Sequence, residues 1–256
     1  MLTGVTRSSP VSTQGVLRFW VEPSYDPAVS SQNRIDLAIL ELQGPFALNS
    51  NVAVIPMCQT SDNCGATDAG LIVSGYGETQ SDVSNSVSNT LQFATLFAVD
   101  QNACKNKFQA NFGCSNCLPV TNVCAESNPT GGNKDSCFGD SGGPLVTTTT
   151  PKRLWGVVSS GTVPADQQPS CGKAGEYGVY VSLPPNLPWI NSVLSGQQNT
   201  TAIDNACVAT NTCSSFPPSN PFFPPFRWQW YYILAIVLGA ALLVLLIVAL
   251  CCCCRK

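Results

Sequence analysis

The chain has 256 residues, a net charge of −3 and only 11% charged residues. That length allows one or two compact domains, and with no basic patch nucleic acid is not expected as a partner. Low charge together with 20 glycines and 19 prolines fits a β-rich secreted domain better than a helical cytosolic one. Four of the fourteen cysteines form the run Cys251–Cys254, and the other ten are scattered through polar sequence. An even number in that setting points to disulfides made in an oxidising compartment. The lone C-x-x-C pair, Cys114 and Cys117, has no second pair at finger spacing and the chain has no histidine, so no metal is expected. No cofactor is implied either.

In chain order, residues 1–15 are polar and hold no apolar run of signal-peptide length. Short apolar runs then alternate with turn residues: Val16–Val21, Ile35–Leu42, Leu71–Tyr76, Leu91–Val99, Leu154–Ser159 and Gly178–Val181. Their spacing predicts an all-β barrel or sandwich. Leu187–Leu194 reads as a short closing helix. Residues 196–227, rich in Asn, Thr, Ser and Pro, read as an extended, semi-rigid stalk, with a glycosylation sequon at Asn199. Tyr231–Leu250 is twenty residues without a charge, long enough to span a bilayer as a helix. Trp228, Trp230, Tyr231 and Tyr232 form an aromatic belt at its start, and Arg255 and Lys256 favour a cytoplasmic tail. The expected location is therefore the membrane, single-pass, with the β-domain outside and lipid contacted through that helix. Cys251–Cys254 stands where palmitoylation occurs, or is a plain run of reduced thiols.

One stretch organises the rest. Lys134–Val146 reads K-D-S-C-F-G-D-S-G-G-P-L-V. Gly142 and Gly143 allow close approach of the backbone, and Pro144 fixes the exit direction. A serine so placed, Ser141, is a nucleophile candidate beside an oxyanion hole; the plain alternative is a Gly/Pro turn between strands.

This loop resembles the nucleophile loop of trypsin-like (chymotrypsin-fold) serine proteases, and further segments resemble the same family in the same order. They are Ile35-Asp36-Leu37-Ala38-Ile39-Leu40 with Pro23–Pro27 before it, Gly75-Tyr76-Gly77, Trp155–Gly161, and Gly178–Val181 followed by Trp189-Ile190. The resemblance spans roughly residues 16–194. It implies an all-β fold, a chymotrypsin-like double β-barrel with the first barrel incomplete, then a short helix and a single transmembrane helix. The expected divisions are a first-barrel remnant at 1–65, a second barrel with the nucleophile loop at 66–195, the stalk at 196–227, the membrane helix at 228–250 and the tail at 251–256.

The resemblance also assigns roles. Ser141 is the nucleophile, the amides of Gly139 and Ser141 form the oxyanion hole, and Asp36 orients a histidine. The apolar flanks of Asp36 suggest a carboxylate set against a core, costly unless it has a partner. Asp135 is the floor of a pocket walled by Ser159, Gly161 and Gly178, which selects Lys or Arg in a polypeptide substrate or peptide-like ligand. Ser160 stands where the family often has Trp. The implied disulfides are Cys104–Cys124 and Cys137–Cys171; Cys58–Cys64, Cys114–Cys117 and Cys207–Cys213 remain as pairs that could close small loops.

The family pattern breaks at one end. A triad histidine is expected about 45 residues before the aspartate, and Asp36 has only thirty-five residues ahead of it. Nothing in residues 1–15 resembles the I-V-G-G-like start whose freed amine pairs with the aspartate before the nucleophile, here Asp140. Without that amine the oxyanion hole is not expected to be organised. Losing the triad base costs turnover on the order of 10⁶-fold, roughly 8 kcal/mol of transition-state stabilisation. The reading is a membrane-anchored trypsin-like endopeptidase whose recorded sequence begins late, and which is inactive as written. The alternative is a catalytically inactive homologue acting as a membrane-tethered protein-binding module; a purely structural spacer would leave the ordered motifs unexplained.

Overall fold

A computed structural model describes residues 6, 13–25, 35–62, 64–65, 70–80, 86–113, 118–127, 134–164, 167 and 171–198. The chain past residue 198, with the sequon Asn199 and the expected spanning segment, lies outside the described residues, as do Cys114, Cys117, Cys207 and Cys213. Among the described residues no helix is long and apolar enough to cross a membrane.

Two antiparallel strands come first, β1 (Val16–Val21) and β2 (Ala38–Leu42), paired as an open two-stranded sheet. The strand expected from Ile35 begins only at Ala38, because the Leu37 amide turns back to the Ile35 carbonyl. Six further strands close a barrel in the order β3-β4-β5-β8-β7-β6. They are β3 (Gly70–Gly75), β4 (Gln92–Ala98), β5 (Asn122–Glu126), β6 (Pro144–Thr147), β7 (Leu154–Gly161) and β8 (Gly178–Ser182). Closure removes the exposed edges that an open sheet would present.

Strand alternation distributes the core. Leu71 and Val73 of β3, Ala94 and Leu96 of β4, Leu145 of β6, Trp155 and Val158 of β7 and Tyr180 of β8 cluster together inside the barrel. β8 is buried along its whole length, so it shows little of the polar alternation of a half-exposed strand. Tyr180 turns into the barrel, Val179 packs with Cys104, Leu118 and Cys124, and Val181 packs with Leu183, Leu187 and Ile190. The same outer cluster receives Leu37, with Ile35, Ile39 and Met57 against it, which joins the first sheet to the barrel.

Two helices cover the barrel. α2 (Leu187–Leu194) lies where the sequence places it, with Pro188 in its first turn and Leu187, Ile190 and Val193 buried at three-residue spacing. Burial of each such side chain stabilises by roughly 1.5–3 kcal/mol. α1 (Gln101–Phe112) was not expected. Only Cys104 of its residues is buried; Phe108, one turn on, is partly buried against the cluster that holds Cys104, and its ring meets that of Phe112. Its start is set by Asp100, whose side chain accepts from the amides of Asn102 and Ala103, and its end by Gly113 in the left-handed region at φ 65°. The Cys104–Cys124 disulfide ties it to β5.

Candidate active site

The loop before β6 is folded back on itself. The Asp140 amide donates to the Cys137 carbonyl at 3.0 Å, and the Gly143 amide to the Asp140 carbonyl at 2.8 Å. The turn is then fastened to β7: the Gly142 amide donates to Val158 O and the Val158 amide to Gly143 O, both at 2.9 Å. Gly139 (φ 94°) and Gly142 (φ 80°) take backbone torsions that side chains other than glycine rarely adopt. A Cβ on Gly143 would stand 2.7 Å from the Asp140 carbonyl oxygen, too close to be relieved by a side-chain shift. Ser141 is exposed on this turn. Among the described residues neither its amide nor that of Gly139 donates to a protein acceptor, so both remain open to a bound oxyanion.

The Asp140 carboxylate is held by two backbone amides. Oδ1 accepts from the Gly77 amide at 2.8 Å and Oδ2 from the Cys137 amide at 2.9 Å. A Cβ on Gly75 would fall 1.9 Å from Oδ1, and one on Gly77 2.6 Å from Cγ. The Gly75-Tyr76-Gly77 turn is therefore glycine on both sides because the Asp140 carboxylate occupies the space.

Asp135 lies at the bottom of a second arrangement. Its Oδ1 accepts from the Ser136 amide at 2.8 Å, and from the Tyr180 hydroxyl at 3.4 Å. A Cβ on Gly178 would sit 2.3 Å from that oxygen, so the glycine leaves the room the carboxylate uses. Gly161 is paired directly across from Gly178. Cys137–Cys171 closes the wall. Burial pushes the Asp135 carboxyl up to about 7, against the opposing pull of its hydrogen bonds from Ser136, Tyr180 and Gly172. Burial likewise pushes the Tyr180 hydroxyl up, with the negative Asp135 beside it acting in the same direction. A cavity of about 610 Å³ is bordered by both Asp135 and Asp140, with Gly75, Gly77 and Phe93 on its other sides.

Asp36 arrives from the first sheet. Its neighbour Leu37 is buried, but Asp36 itself is exposed, which corrects the expectation that its carboxylate is set against the core. Its Oδ2 accepts from the Ser159 hydroxyl at 2.8 Å. The register of β7 against β8 shifts between Val158 and Ser160, and such a bulge re-aims the side chain at its centre. Ser159 thus reaches Asp36, while its neighbour Gly161 remains at the pocket wall.

One further cluster has metal-ligand residue types. Cys58, Asp62 and Cys64 bring ligand atoms within 4.8 Å of one another. The two sulfurs are joined as a disulfide and Asp62 pairs with Arg153 at 3.3 Å, so no thiolate is available there to ligate an ion.

The site thus gathers a serine on a glycine turn, two unengaged amides and a partly buried carboxylate on a closed β-barrel. The trypsin family model matches residues 3–190, and the chain belongs to that family. It is similar to "Serine protease filzig" of Drosophila melanogaster, 30% identical over 194 residues, or 75% of this chain and 10% of that protein. It is also similar to "Trypsin-4" of Rattus norvegicus, 30% identical over 164 residues, or 62% of this chain and 56% of that one. Among solved structures it resembles neuropsin, described as a serine protease expressed in the limbic system of mouse brain. That match has a TM-score of 0.58 at 27% identity and covers 70% of each chain. The chain therefore spans about half the length of the trypsins it matches.

Proposed function

We propose that this chain supplies the nucleophile Ser141, the orienting carboxylate Asp36 and the substrate pocket of a trypsin-like serine endopeptidase that cuts after Lys or Arg. The imidazole base comes from outside these 256 residues, which contain no histidine. The observation that carries the specificity is the partly buried Asp135 under Gly178 and opposite no basic side chain among its hydrogen-bond partners. A guanidinium or ammonium entering there would meet a carboxylate and two hydroxyls, and an apolar side chain would leave them unpaired. The amides of Gly139 and Ser141 would receive the carbonyl oxygen as it becomes negative. The cavity bordered by Asp140 supports a second part of the reading: it is where the family's freed amine would be taken.

Anchoring at a membrane is part of the same proposal. It is supported by the uncharged run Tyr231–Leu250, by the aromatic residues at its start and by Arg255 and Lys256 after it. The β-domain then faces outward, where its disulfides are stable.

Two measurements on the 256-residue chain test this. A fluorophosphonate probe is expected to label Ser141 no faster than free serine, because no base activates the hydroxyl; rapid labelling would show that turnover needs no imidazole. Benzamidine, whose planar amidinium pairs with a carboxylate through two hydrogen bonds, is expected to bind and to lose binding in Asp135→Asn. Equal binding by both proteins would remove the specificity proposal.

A further inference from the structure

Outside the groups so far described, one partly buried carboxylate links α1 to the segments that flank β7 and β8. Glu176 stands two residues before Gly178, and its side chain is only 13% exposed. Its Oε2 accepts from the Thr162 hydroxyl at 2.7 Å and from the Asn111 side-chain amide at 2.8 Å. Its Oε1 pairs with Lys107 Nζ at 3.5 Å. Thr162 is fully buried. Its hydroxyl also accepts from the Tyr177 amide at 2.8 Å, its amide donates to Tyr177 O at 2.9 Å, and its carbonyl accepts from Asn111 at 2.8 Å. Lys107 and Asn111 lie on α1, four residues apart and so on one face of the helix.

The position of this network gives it meaning. Thr162 follows Gly161 and Tyr177 precedes Gly178, the two glycines paired across the pocket wall. Beyond Gly161 the chain leaves the β7–β8 ladder, and there one backbone bond, from the Thr162 amide to Tyr177 O, is joined by the side-chain bonds of Thr162, Glu176 and Asn111. The described bonds of Thr162 itself all run to Tyr177, Glu176 or Asn111. The disulfide Cys137–Cys171 braces the pocket from the loop side, and the Glu176 network braces it from the helix side.

We infer that Glu176 is a positioning residue: through Thr162 and Asn111 it holds the backbone at Gly161 in line at the pocket wall, where the backbone of a peptide leaving the pocket along β7 would pair with it. The inference rests on the reading of the Asp135 cleft as a substrate pocket. Glu176 touches no ligand itself. Its loss should therefore spare a ligand that only fills the pocket and weaken one that also lies along the strand edge.

The test compares two ligands on the full chain. Benzamidine fills the pocket alone. Acetyl-Ala-Ala-Arg with a free carboxylate enters the same pocket and runs its backbone past Gly161. With Glu176→Ala, the peptide is expected to bind about tenfold more weakly, the worth of one or two backbone hydrogen bonds held out of line, while benzamidine changes by less than about twofold. Glu176→Gln, which keeps an oxygen to accept from Thr162, should recover most of the peptide affinity. Asn111→Ala, at a helix position where alanine is well tolerated, provides a second variant and should reproduce the split. Equal weakening of both ligands would indicate a general loss of structure and overturn the inference, as would no change in either. If the unsubstituted chain binds neither ligand, the pocket reading itself fails and takes this inference with it; that case is recognised by the benzamidine control alone.

Discussion

The carboxyl of Asp135 makes a quantitative prediction. Burial raises it from 3.8 to about 7, so the folded protein holds its proton more tightly than the unfolded chain does. Below pH 3.8 both states are protonated and the group has no effect on stability. Between 3.8 and about 7 the folded state binds more protons, so stability falls as pH rises. Above about 7 both states are ionised and the full cost of the buried charge is present. A gap of about three pH units corresponds to about 4 kcal/mol. Asparagine has nearly the same shape, accepts from the Ser136 amide and carries no charge. Asp135→Asn should match the parent near pH 4 and then gain on it, by up to about 4 kcal/mol at pH 8. Urea unfolding of both proteins at half-unit steps from pH 4 to 8.5, with disulfides intact, gives the difference directly, and other titrating groups cancel in it. A difference that stays flat across this range, or that grows as pH falls, would refute the claim that the pocket floor is a desolvated carboxylate. The same proton competes with a cationic ligand, so benzamidine should bind more tightly as pH rises toward 7 and level off above it.

Gly178→Ala places a methyl 2.3 Å from Asp135 Oδ1 and 2.7 Å from the Tyr180 hydroxyl. Overpacking of this kind costs about 1–3 kcal/mol and should abolish benzamidine binding, as isothermal calorimetry would show. Asp100→Ala removes the cap that serves the Asn102 and Ala103 amides; it should lower stability by about 1 kcal/mol in a denaturant titration, with benzamidine affinity unchanged.

What could be read from the sequence depended on how each residue is held. The loop from Lys134 to Val146 was legible because its torsions and close contacts demand glycine at Gly139, Gly142 and Gly143, and such demands leave a fixed local pattern. α2 was legible from its apolar spacing, and the strands at β1, β3, β4 and β7 from their apolar runs. α1 was not, since its apolar face is only Cys104, Phe108 and Phe112 set among polar residues, and its ends are fixed by a cap and a glycine. β6 was hidden inside the loop motif that precedes it. β5 reads Asn-Val-Cys-Ala-Glu, with no alternation of apolar and polar residues to show a strand. The exposure of Asp36 was misread because its neighbour Leu37 is buried while its own side chain turns to Ser159. The hydrogen bonds of Glu176 to Thr162 and Asn111 span 14 and 65 positions, and no local pattern announces them.

The barrel closes through its own hydrogen bonds from β3 round to β6, and Ser141, Asp135, Gly161 and Gly178 all belong to it or to its loops. Asp36 lies just ahead of β2, outside the barrel, and meets the barrel's side of the site through one hydroxyl. On the proposed function, side-chain choice and bond cleavage therefore rest on different pieces of architecture, and disturbing the segment that carries Asp36 should leave the Asp135 pocket standing.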